Sequence, residues 1–208
     1  DLAALAALVD ALGGGEIVYR SPRAAEEIPL KGFPGLARRK DLSPNAKGAE
    51  LVGATRVGSD DATGGLETIA SHAGIVLVLG DALSDQPESF GQEAALYVYM
   101  GTHDSPAAKH AHVVLPVATH AESEGTFTNH QGRVQRFEPA LDAPGMSRPA
   151  WLVLGALVAE RGGGSVARTA AEAFSALAGR VPAFSGMDYA AIGGRGAVIN
   201  ESVSLTGD

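Results

Sequence analysis

The chain has 208 residues, of which 45% are hydrophobic and 19% are charged, and its formal net charge is −8. This composition is typical of a soluble globular α/β protein, and the acidic balance disfavours nucleic acid as a partner, since phosphate binding needs clustered Lys and Arg. The sequence contains no Cys. Disulfides, thiol catalysis and Cys-ligated zinc or iron–sulfur clusters are therefore excluded within these residues.

The first sixty residues predict one helix, one strand and a long irregular segment. Leucines recur at helical spacing from Leu2 to Leu12, behind Asp1 as the N-cap, and three glycines end this helix. A short strand is predicted over Glu16–Arg20. The segment from Ser21 to Thr63 is rich in Pro, Gly and charge, and a loop of this length is more often functional or covered by a partner than idle. Because the chain begins at Asp1 without Met, inside a predicted helix, we expect it to be a fragment.

Three apolar runs in the middle of the chain predict buried strands. They are Ile75–Leu79, Ala95–Met100 and Val113–Pro116. Helices are predicted between or before them, over Leu66–His72, weakly over Leu83–Gln92, and from Ser105, where Pro106 suits a first helical position. Continuous apolar strands that alternate with helices are typical of an α/β fold, with a mostly parallel sheet and helices on both faces. No apolar run approaches the roughly 18 residues that a membrane span requires.

The last third of the chain predicts two more helices and an irregular tail. The helices lie over Pro149–Glu160 and Thr169–Ala178, and they are separated by a glycine-rich linker that starts at Arg161. The residues from Val181 to Asp208 show little periodicity. We therefore divide the chain into an α/β domain over residues 1–161 and a helical and irregular C-terminal extension over residues 162–208.

A polar segment follows the third strand, at its carboxyl end, where ligands bind in open α/β sheets. Its side chains are rich in hydrogen-bond donors and acceptors: Thr119, Glu122, Ser123, Glu124, Thr126, Thr128, Asn129, Gln131, Arg133 and Gln135. Gly125 and Gly132 permit close approach of the backbone. Taken alone, these residues favour a large polar ligand and a self-satisfied loop network equally, because buried polar groups must be paired in either case.

The segment Val113–Gln135 resembles the molybdopterin oxidoreductases. It combines Val-Val-Leu-Pro, Glu-x-Glu-Gly-Thr-Phe-Thr-Asn and Gly-Arg-Val-Gln at the spacing of that family's signature. The sequence from Ala118 to Thr126 is similar to that of one branch of the family, the large iron–sulfur subunit of bacterial NADH:quinone oxidoreductase (respiratory complex I). So are the Asn-x-x-Gly-Ala segment at Asn45–Ala49, the start of the late helix at Arg148–Trp151, and Val181–Phe184.

The resemblance implies that residues 1–161 are the C-terminal part of a molybdopterin-oxidoreductase-like domain. In formate dehydrogenase-like relatives this region helps bind a molybdenum–pterin dinucleotide, whereas the complex I subunit retains the fold without that cofactor. It therefore implies a cofactor-free, non-catalytic scaffold in a multisubunit enzyme that transfers electrons from NADH to quinone. The iron–sulfur clusters would belong to Cys-rich parts N-terminal to this segment.

The same resemblance implies partners, a location and a set of vestigial motif residues. The partners are other subunits of the NADH-oxidising peripheral arm, at the cytoplasmic face of the bacterial inner membrane and without direct membrane insertion. The motif positions are Glu122, Glu124, Gly125, Thr126, Thr128, Asn129, Gly132 and Arg133. In a scaffold we expect Arg133 to pair with a carboxylate or with loop carbonyls, Asn129 to bond backbone groups, and Thr126 and Thr128 to cap turns. The alternative is a cofactor-binding fragment of a molybdenum or tungsten oxidoreductase.

Other chemistry is disfavoured. Four histidines lie within eighteen positions (His103, His110, His112 and His120), but without Cys a zinc site needs several of them or of the carboxylates to converge. Glu122 and Glu124 could form an acid/base pair, although such carboxylates more often cap turns or pair with Arg133 or Arg136. No phosphate loop or dinucleotide fingerprint follows a strand, so we expect neither nicotinamide nor flavin binding, no bound metal and no catalytic residue. A free-standing interaction module is the third alternative.

Overall fold

The computed structural model describes residues 1–21, 26–40, 42–57, 66–83, 85–162 and 166–200. The α-helices in these ranges are α1 (Leu2–Ala11), α2 (Ala46–Leu51), α3 (Glu67–Ala70), α4 (Ala150–Glu160), α5 (Ala170–Arg180) and α6 (Tyr189–Ile192). Short 3₁₀ helices cover Pro106–Ala108 and Pro182–Phe184. The strands are β1 (Val18–Tyr19), β2 (Ile28–Pro29), β3 (Ala37–Arg38), β4 (Thr55–Arg56), β5 (Ile75–Leu79), β6 (Leu96–Gly101), β7 (Val113–Pro116), β8 (Gly125–Thr128), β9 (Arg133–Phe137) and β10 (Ala197–Val198).

The centre of the fold is the three-stranded sheet β5-β6-β7, in which both neighbouring pairs are parallel. Ile75 is opposite Leu96, and Val98 is opposite Val113. These are the three apolar runs of the sequence, so the prediction that they share one parallel sheet is confirmed. The prediction that all three are buried is wrong for β7, which is an edge strand of this sheet with Val113 and Val114 exposed. Parallel strands need crossover connections, and these connections place the carboxyl ends of all three strands at one edge of the sheet.

Helices cover both faces of this sheet, as predicted. Side chains alternate along each strand, so each face packs against a different set of residues. On one face Val76, Val78, Tyr97 and Tyr99 pack with Phe90 and with Leu66 and Ile69, at and next to α3. On the other face Leu77 and Met100 pack against Leu8 of α1 and Leu154 of α4. Tyr97, Met100 and Leu154 are completely buried.

A second cluster joins the end of the chain to the β8–β9 hairpin. The strands β8 and β9 are antiparallel, and β10 pairs with β9 on its other side. Val134 of β9 is buried with Phe174 of α5, Phe184, Ile192 of α6 and Ile199. The described part of the C-terminal extension therefore shares a core with the hairpin that carries the family motif. The domain boundary after residue 161 stays a prediction.

Several local features differ from the sequence prediction. The weak helix expected over Leu83–Gln92 is a series of turns in its described residues, and Gly91 there adopts a left-handed φ of +70°. The loop expected over residues 21–63 contains β2, β3, α2 and β4, although residues 58–65 lie outside the described ranges, as does part of the glycine linker. Asp1 precedes α1 without a side-chain cap to that helix. Its carboxylate instead accepts a hydrogen bond from the backbone N–H of Trp151, at the start of α4.

Candidate functional site at the carboxyl edge of the sheet

A cavity of about 600 Å³ lies at the carboxyl edge of the central sheet. Gly80 and Asp81 reach it after β5, Thr102 and His103 after β6, and Thr119 after β7. The hairpin and helices α4 and α5 complete its walls through Phe127, Phe137, Trp151 and Leu177, among others. No sequence motif singled out Asp81. Its place directly after a buried parallel strand is the signal that could have found it.

Asp81 is a hydrogen-bonded carboxylate that ties the ends of β5 and β6 together. It accepts a 3.0 Å hydrogen bond from the Thr102 backbone N–H and another from the Thr102 hydroxyl, and His103 Nδ1 lies 3.6 Å away. Burial by itself raises the pKa of Asp81, but the hydrogen bonds from Thr102 and His103 outweigh it and hold this pKa below its usual value. Asp81 is therefore a fixed negative charge at neutral pH.

The two glutamates of the motif accept hydrogen bonds from backbone groups. Glu122 accepts a 2.9 Å hydrogen bond from the backbone N–H of Thr119, and its own N–H donates to the Thr119 carbonyl. Glu124 accepts a 3.3 Å hydrogen bond from the N–H of Ala170, in the first turn of α5 and 46 residues away. Both carboxylates satisfy backbone donors, as expected of structural rather than acid/base residues.

Three residues of the motif, Gly125, Thr126 and Thr128, lie in strand β8. A Cβ atom at Gly125 would lie 2.8 Å from the Phe137 ring, which stacks on Phe127 at 4.6 Å between centroids. The expectation that Thr126 and Thr128 cap turns is wrong, because both lie inside β8 and pair with residues of β9. β-Branched residues suit a pleated strand, and the pairing register removes these two from the turn.

The side chain of Asn129 closes the turn between β8 and β9. Asn129 Oδ1 accepts hydrogen bonds from the N–H groups of Gln131 at 3.0 Å and Arg133 at 2.9 Å. Gly132 has a φ of +76°, and a Cβ atom there would lie 2.9 Å from Ile199. Asn129 therefore bonds backbone groups, as expected, and Gly132 is required by both its conformation and its neighbour.

Arg133 pairs with loop carbonyls, as expected. Its Nη1 donates to the carbonyl oxygen of Gly196 at 3.1 Å and to that of Arg195 at 3.4 Å. These carbonyls directly precede β10, so the arginine links the motif hairpin to the C-terminal segment. Charged donors make stronger hydrogen bonds to carbonyls than neutral ones do.

Asn45 joins the two segments that resemble the family. Its Oδ1 accepts a 2.7 Å hydrogen bond from the backbone N–H of Thr128, a residue that is 4% exposed. A Cβ atom at Gly48 would lie 2.2 Å from that same oxygen. The Asn-x-x-Gly spacing is close to one helical turn, which places the glycine beneath the asparagine side chain. The contact itself is not evident from the sequence.

The histidines do not converge. His112 Nδ1 accepts a 3.0 Å hydrogen bond from the Tyr97 N–H, and the His112 N–H donates to the Tyr97 carbonyl, so His112 continues the β6–β7 pairing. Within the described residues, no three His, Cys, Asp or Glu side chains are grouped so that they could hold a metal ion. No helix among the described residues has the length and apolar character that crossing a membrane requires. The absence of a metal or cofactor from the protein remains a prediction.

The cavity does not fit the diphosphate of a pterin dinucleotide. Its lining includes the carboxylates of Asp1, Asp81 and Glu124, and none of the described lining residues is Lys or Arg. Carboxylates beside a diphosphate repel it, and this repulsion grows in a partly buried, low-dielectric site. The indole N–H of Trp151 is the one side-chain donor of this cavity that is buried without a partner in the described structure. The lining also contains His103 and His120, so the poor fit rests on the three carboxylates and on the absence of Lys and Arg from the described lining residues.

Comparison with known proteins gives one family and two kinds of relative. The sequence profile of the molybdopterin oxidoreductase family matches residues 3–160. F420-dependent formate dehydrogenase 2 subunit alpha of Methanococcus maripaludis is 36% identical over 56% of this chain and 18% of its own length. The G subunit of NADH-quinone oxidoreductase from Salmonella typhimurium is 32% identical over 62% of this chain and 14% of its own. The mitochondrial 78 kDa subunit of NADH-ubiquinone oxidoreductase from Candida albicans is 40% identical over 30% of this chain and 9% of its own length. The chain thus spans less than a fifth of the length of these relatives, and their identities do not separate the two kinds.

Proposed function

Because the chain belongs to the molybdopterin oxidoreductase family, we propose that it is a cofactor-free scaffold segment of the large iron–sulfur subunit of an NADH:quinone oxidoreductase. In this role it supports electron transfer from NADH to quinone without chemistry of its own. The clusters that carry the electrons would be held by Cys-rich parts of the same subunit. Similarity to the Salmonella typhimurium protein and to the mitochondrial 78 kDa subunits supports this proposal.

The observation that carries the proposal is that the family motif satisfies its own hydrogen bonds. Glu122, Glu124 and Asn129 accept from backbone N–H groups, and Arg133 donates to backbone carbonyls. Leaving a buried polar group without a partner costs about 1–3 kcal/mol of stability. In a ligand site, some polar groups usually lack a protein partner because the ligand supplies it. These four side chains are occupied by the protein itself, which is what a structural role requires.

The charge of the cavity supports the same function. Asp81 and Glu124 line the cavity at the carboxyl edge of the sheet, the edge at which ligands bind in open α/β folds. The described lining residues include no Lys or Arg, so none of them would pair a guanidinium or an ammonium side chain with the diphosphate. A scaffold has no such requirement.

The second candidate is a cofactor-binding segment of a formate dehydrogenase-like molybdenum or tungsten oxidoreductase. The cavity of about 600 Å³ at the carboxyl edge favours it, together with the unpartnered Trp151 indole N–H and the similarity to the Methanococcus maripaludis protein. When bound, that cofactor would supply two-electron redox chemistry. The residues of this chain that would face it are Asp81, Thr102 and Thr119.

Metal analysis of the native, full-length protein in its complex separates the two candidates. We expect iron from the clusters, molybdenum and tungsten far below one atom per polypeptide, no fluorescent pterin after oxidation, and co-purification with NADH:quinone activity. A formate dehydrogenase prepared in parallel serves as the positive control for metal and pterin. Stoichiometric molybdenum or tungsten with pterin would overturn the scaffold proposal.

The partners and location follow as parts of the same proposal. We place the protein among the subunits of the peripheral NADH-oxidising arm, at the cytoplasmic face of the bacterial inner membrane and without membrane insertion of its own. An affinity tag on the full-length subunit should recover the other subunits of that arm from detergent-solubilised membranes. Recovery of the tagged subunit alone, from membranes that retain NADH:quinone activity, would contradict the assignment.

A further inference from the structure

The described part of the C-terminal extension, residues 166–200, follows the residues that match the family profile, which end at residue 160. It contains α5, a 3₁₀ helix, α6 and β10. Its first and last elements both contact the β8–β9 hairpin that carries the motif, since α5 packs against β8 and β10 pairs with β9. Residues 166–200 are called the strap below.

The strap supplies most of the apolar core beneath the motif hairpin. Val134 of β9 is completely buried, and the other buried residues of its cluster all belong to the strap: Phe174, Ala183, Phe184, Ile192 and Ile199. A two-stranded hairpin on its own is marginally stable at best in water, and it becomes ordered by packing against further elements. The order of the motif hairpin therefore depends on the strap.

The strap also binds two charged side chains of the motif through its backbone. Glu124 accepts a hydrogen bond of 3.3 Å from the N–H of Ala170, at the start of the strap. Arg133 donates a hydrogen bond of 3.1 Å to the carbonyl oxygen of Gly196, near its end. A ligand that used either charged group would first have to displace the strap from it.

The end of the strap approaches the hairpin so closely that two glycines are required. Gly196 has a φ of +75°, and a Cβ atom there would clash with the carbonyl oxygen of Val134. On the hairpin, a Cβ atom at Gly132 would lie 2.9 Å from Ile199, whose N–H donates a 2.9 Å hydrogen bond to the Gly132 carbonyl. These contacts are internal to the described chain, so they do not depend on what else covers it.

We propose that the strap is an intramolecular clamp, which keeps the motif hairpin closed and its charged side chains occupied by protein groups. Strap and hairpin form one cooperative unit. The two apolar clusters that cover the faces of the central sheet contain, among the described residues, no member of the hairpin or of the strap. The unit can therefore lose its order while the central sheet stays folded. This inference goes beyond the proposed function, because the clamp holds with or without a cofactor.

Hydrogen–deuterium exchange of the full-length protein in its complex, read by mass spectrometry of its peptides, tests the clamp. Ile199→Ala weakens the contact from the side of the strap. We expect the amides of residues 125–137 to exchange about tenfold faster in this variant, which corresponds to about 1.4 kcal/mol of opening free energy. Peptides that cover residues 75–79 and 96–101 of the central sheet should keep their wild-type rates.

Two variants serve as controls for this experiment. Ile199→Val keeps most of the apolar contact and should change the exchange of the hairpin far less than Ile199→Ala does. Val78→Ala truncates a buried residue of β5, in the central sheet. It should not speed the exchange of the hairpin relative to that of the sheet.

Two results for Ile199→Ala overturn the clamp. Faster exchange of residues 197–200 beside an unchanged hairpin would show that the hairpin is ordered without the strap. Equal acceleration of the hairpin and the central sheet would show that they share a single core. If the variant fails to assemble, the wild type in low urea decides instead: hairpin and strap amides should open with one shared free energy below that of the sheet, and separate values overturn the proposal.

Combining Ile199→Ala with Arg133→Ala tests whether the strap holds the charged side chain. Because both changes act through the strap, the double variant should speed the exchange of the hairpin by less than the product of the two single effects. A full product would show that Arg133 acts independently of the strap, and it would overturn this part of the clamp. Molybdenum, tungsten and pterin are measured in the same preparations, and their presence would overturn the proposed function while leaving the exchange result intact.

Discussion

Asn45 Oδ1 accepts a hydrogen bond of 2.7 Å from the backbone N–H of Thr128, 83 residues further along the chain. The bond connects the start of α2 to the end of β8, and the Thr128 residue is almost fully buried. Water cannot readily replace the asparagine at such a position. The two family-like segments of the sequence are thus one structural unit.

The first prediction concerns this bond. Asn45→Ala leaves the buried N–H of Thr128 without a partner, and we expect the free energy of unfolding to fall by about 1–3 kcal/mol. Asn45→Asp keeps an acceptor and should retain more stability than Asn45→Ala. Urea unfolding followed by circular dichroism measures both. Gln92→Ala, at an exposed residue whose side-chain amide donates to its neighbour Glu93, is the control; an equal loss there would show that the effect is not specific to Asn45.

The second prediction concerns Arg133 and its carbonyl partners. Arg133→Ala should lower the free energy of unfolding by about 1–3 kcal/mol, because it releases Arg195 and Gly196 from β9. Assembly into the complex should decrease, while the cofactor content of correctly assembled enzyme stays unchanged. Arg168→Ala, at an exposed arginine, is the matched control. A melting temperature for Arg133→Ala equal to the wild type, together with lost pterin in the holoenzyme, would support the cofactor-binding alternative.

The third prediction concerns the contact of Gly125 with Phe137. Gly125→Ala should destabilise the fold by about 1–3 kcal/mol, because its Cβ would lie 2.8 Å from the ring and force a shift. Phe137→Leu loses the stacking on Phe127 but removes the obstacle, so the double variant should be more stable than the sum of the single effects predicts. A double-mutant cycle from thermal melts measures the coupling. Strict additivity would mean that the two residues do not contact each other in solution.

The fourth prediction is a pH dependence that arises from Asp81. Its folded-state pKa is lowered by hydrogen bonds from Thr102 and His103, which outweigh the opposing effect of burial. A carboxyl group with a lowered pKa stabilises the fold fully above its unfolded pKa, near 3.8, and this contribution is lost as the pH falls through the folded pKa. The wild type should therefore lose more stability than Asp81→Asn as the pH falls below about 4.

Urea midpoints of the two proteins across this pH range provide the measurement. Glu88→Gln, which removes a different carboxylate, serves as the control and should follow the wild type. Identical slopes of stability against pH for Asp81→Asn and the wild type would show that Asp81 has the same pKa in the folded and unfolded chains.

Local pattern alone determined the strands of the central sheet and helix α4, but not the connection between the first two strands, where the helix expected over Leu83–Gln92 is a series of turns in its described residues. The runs at Ile75–Leu79, Leu96–Met100 and Val113–Leu115 are continuous and apolar, and such runs are typical of parallel strands when helices lie between them in the chain. The helical spacing of Trp151 and Leu154 predicted helix α4. The motif at residues 113–135 also identified the family, because its residues and glycines recur at fixed spacing. All these features depend on near neighbours in the chain.

Only the tertiary structure decided which groups in the motif meet. Glu124 bonds an N–H that is 46 residues away, and the Asp1 carboxylate bonds one that is 150 residues away, at α4 rather than at its own helix. Thr126 and Thr128 are turn-capping residues in the sequence prediction, yet the pairing register of β8 and β9 places them in a strand. Partners far apart in sequence are selected by how the layers pack, and the periodicity of a short segment does not contain that information.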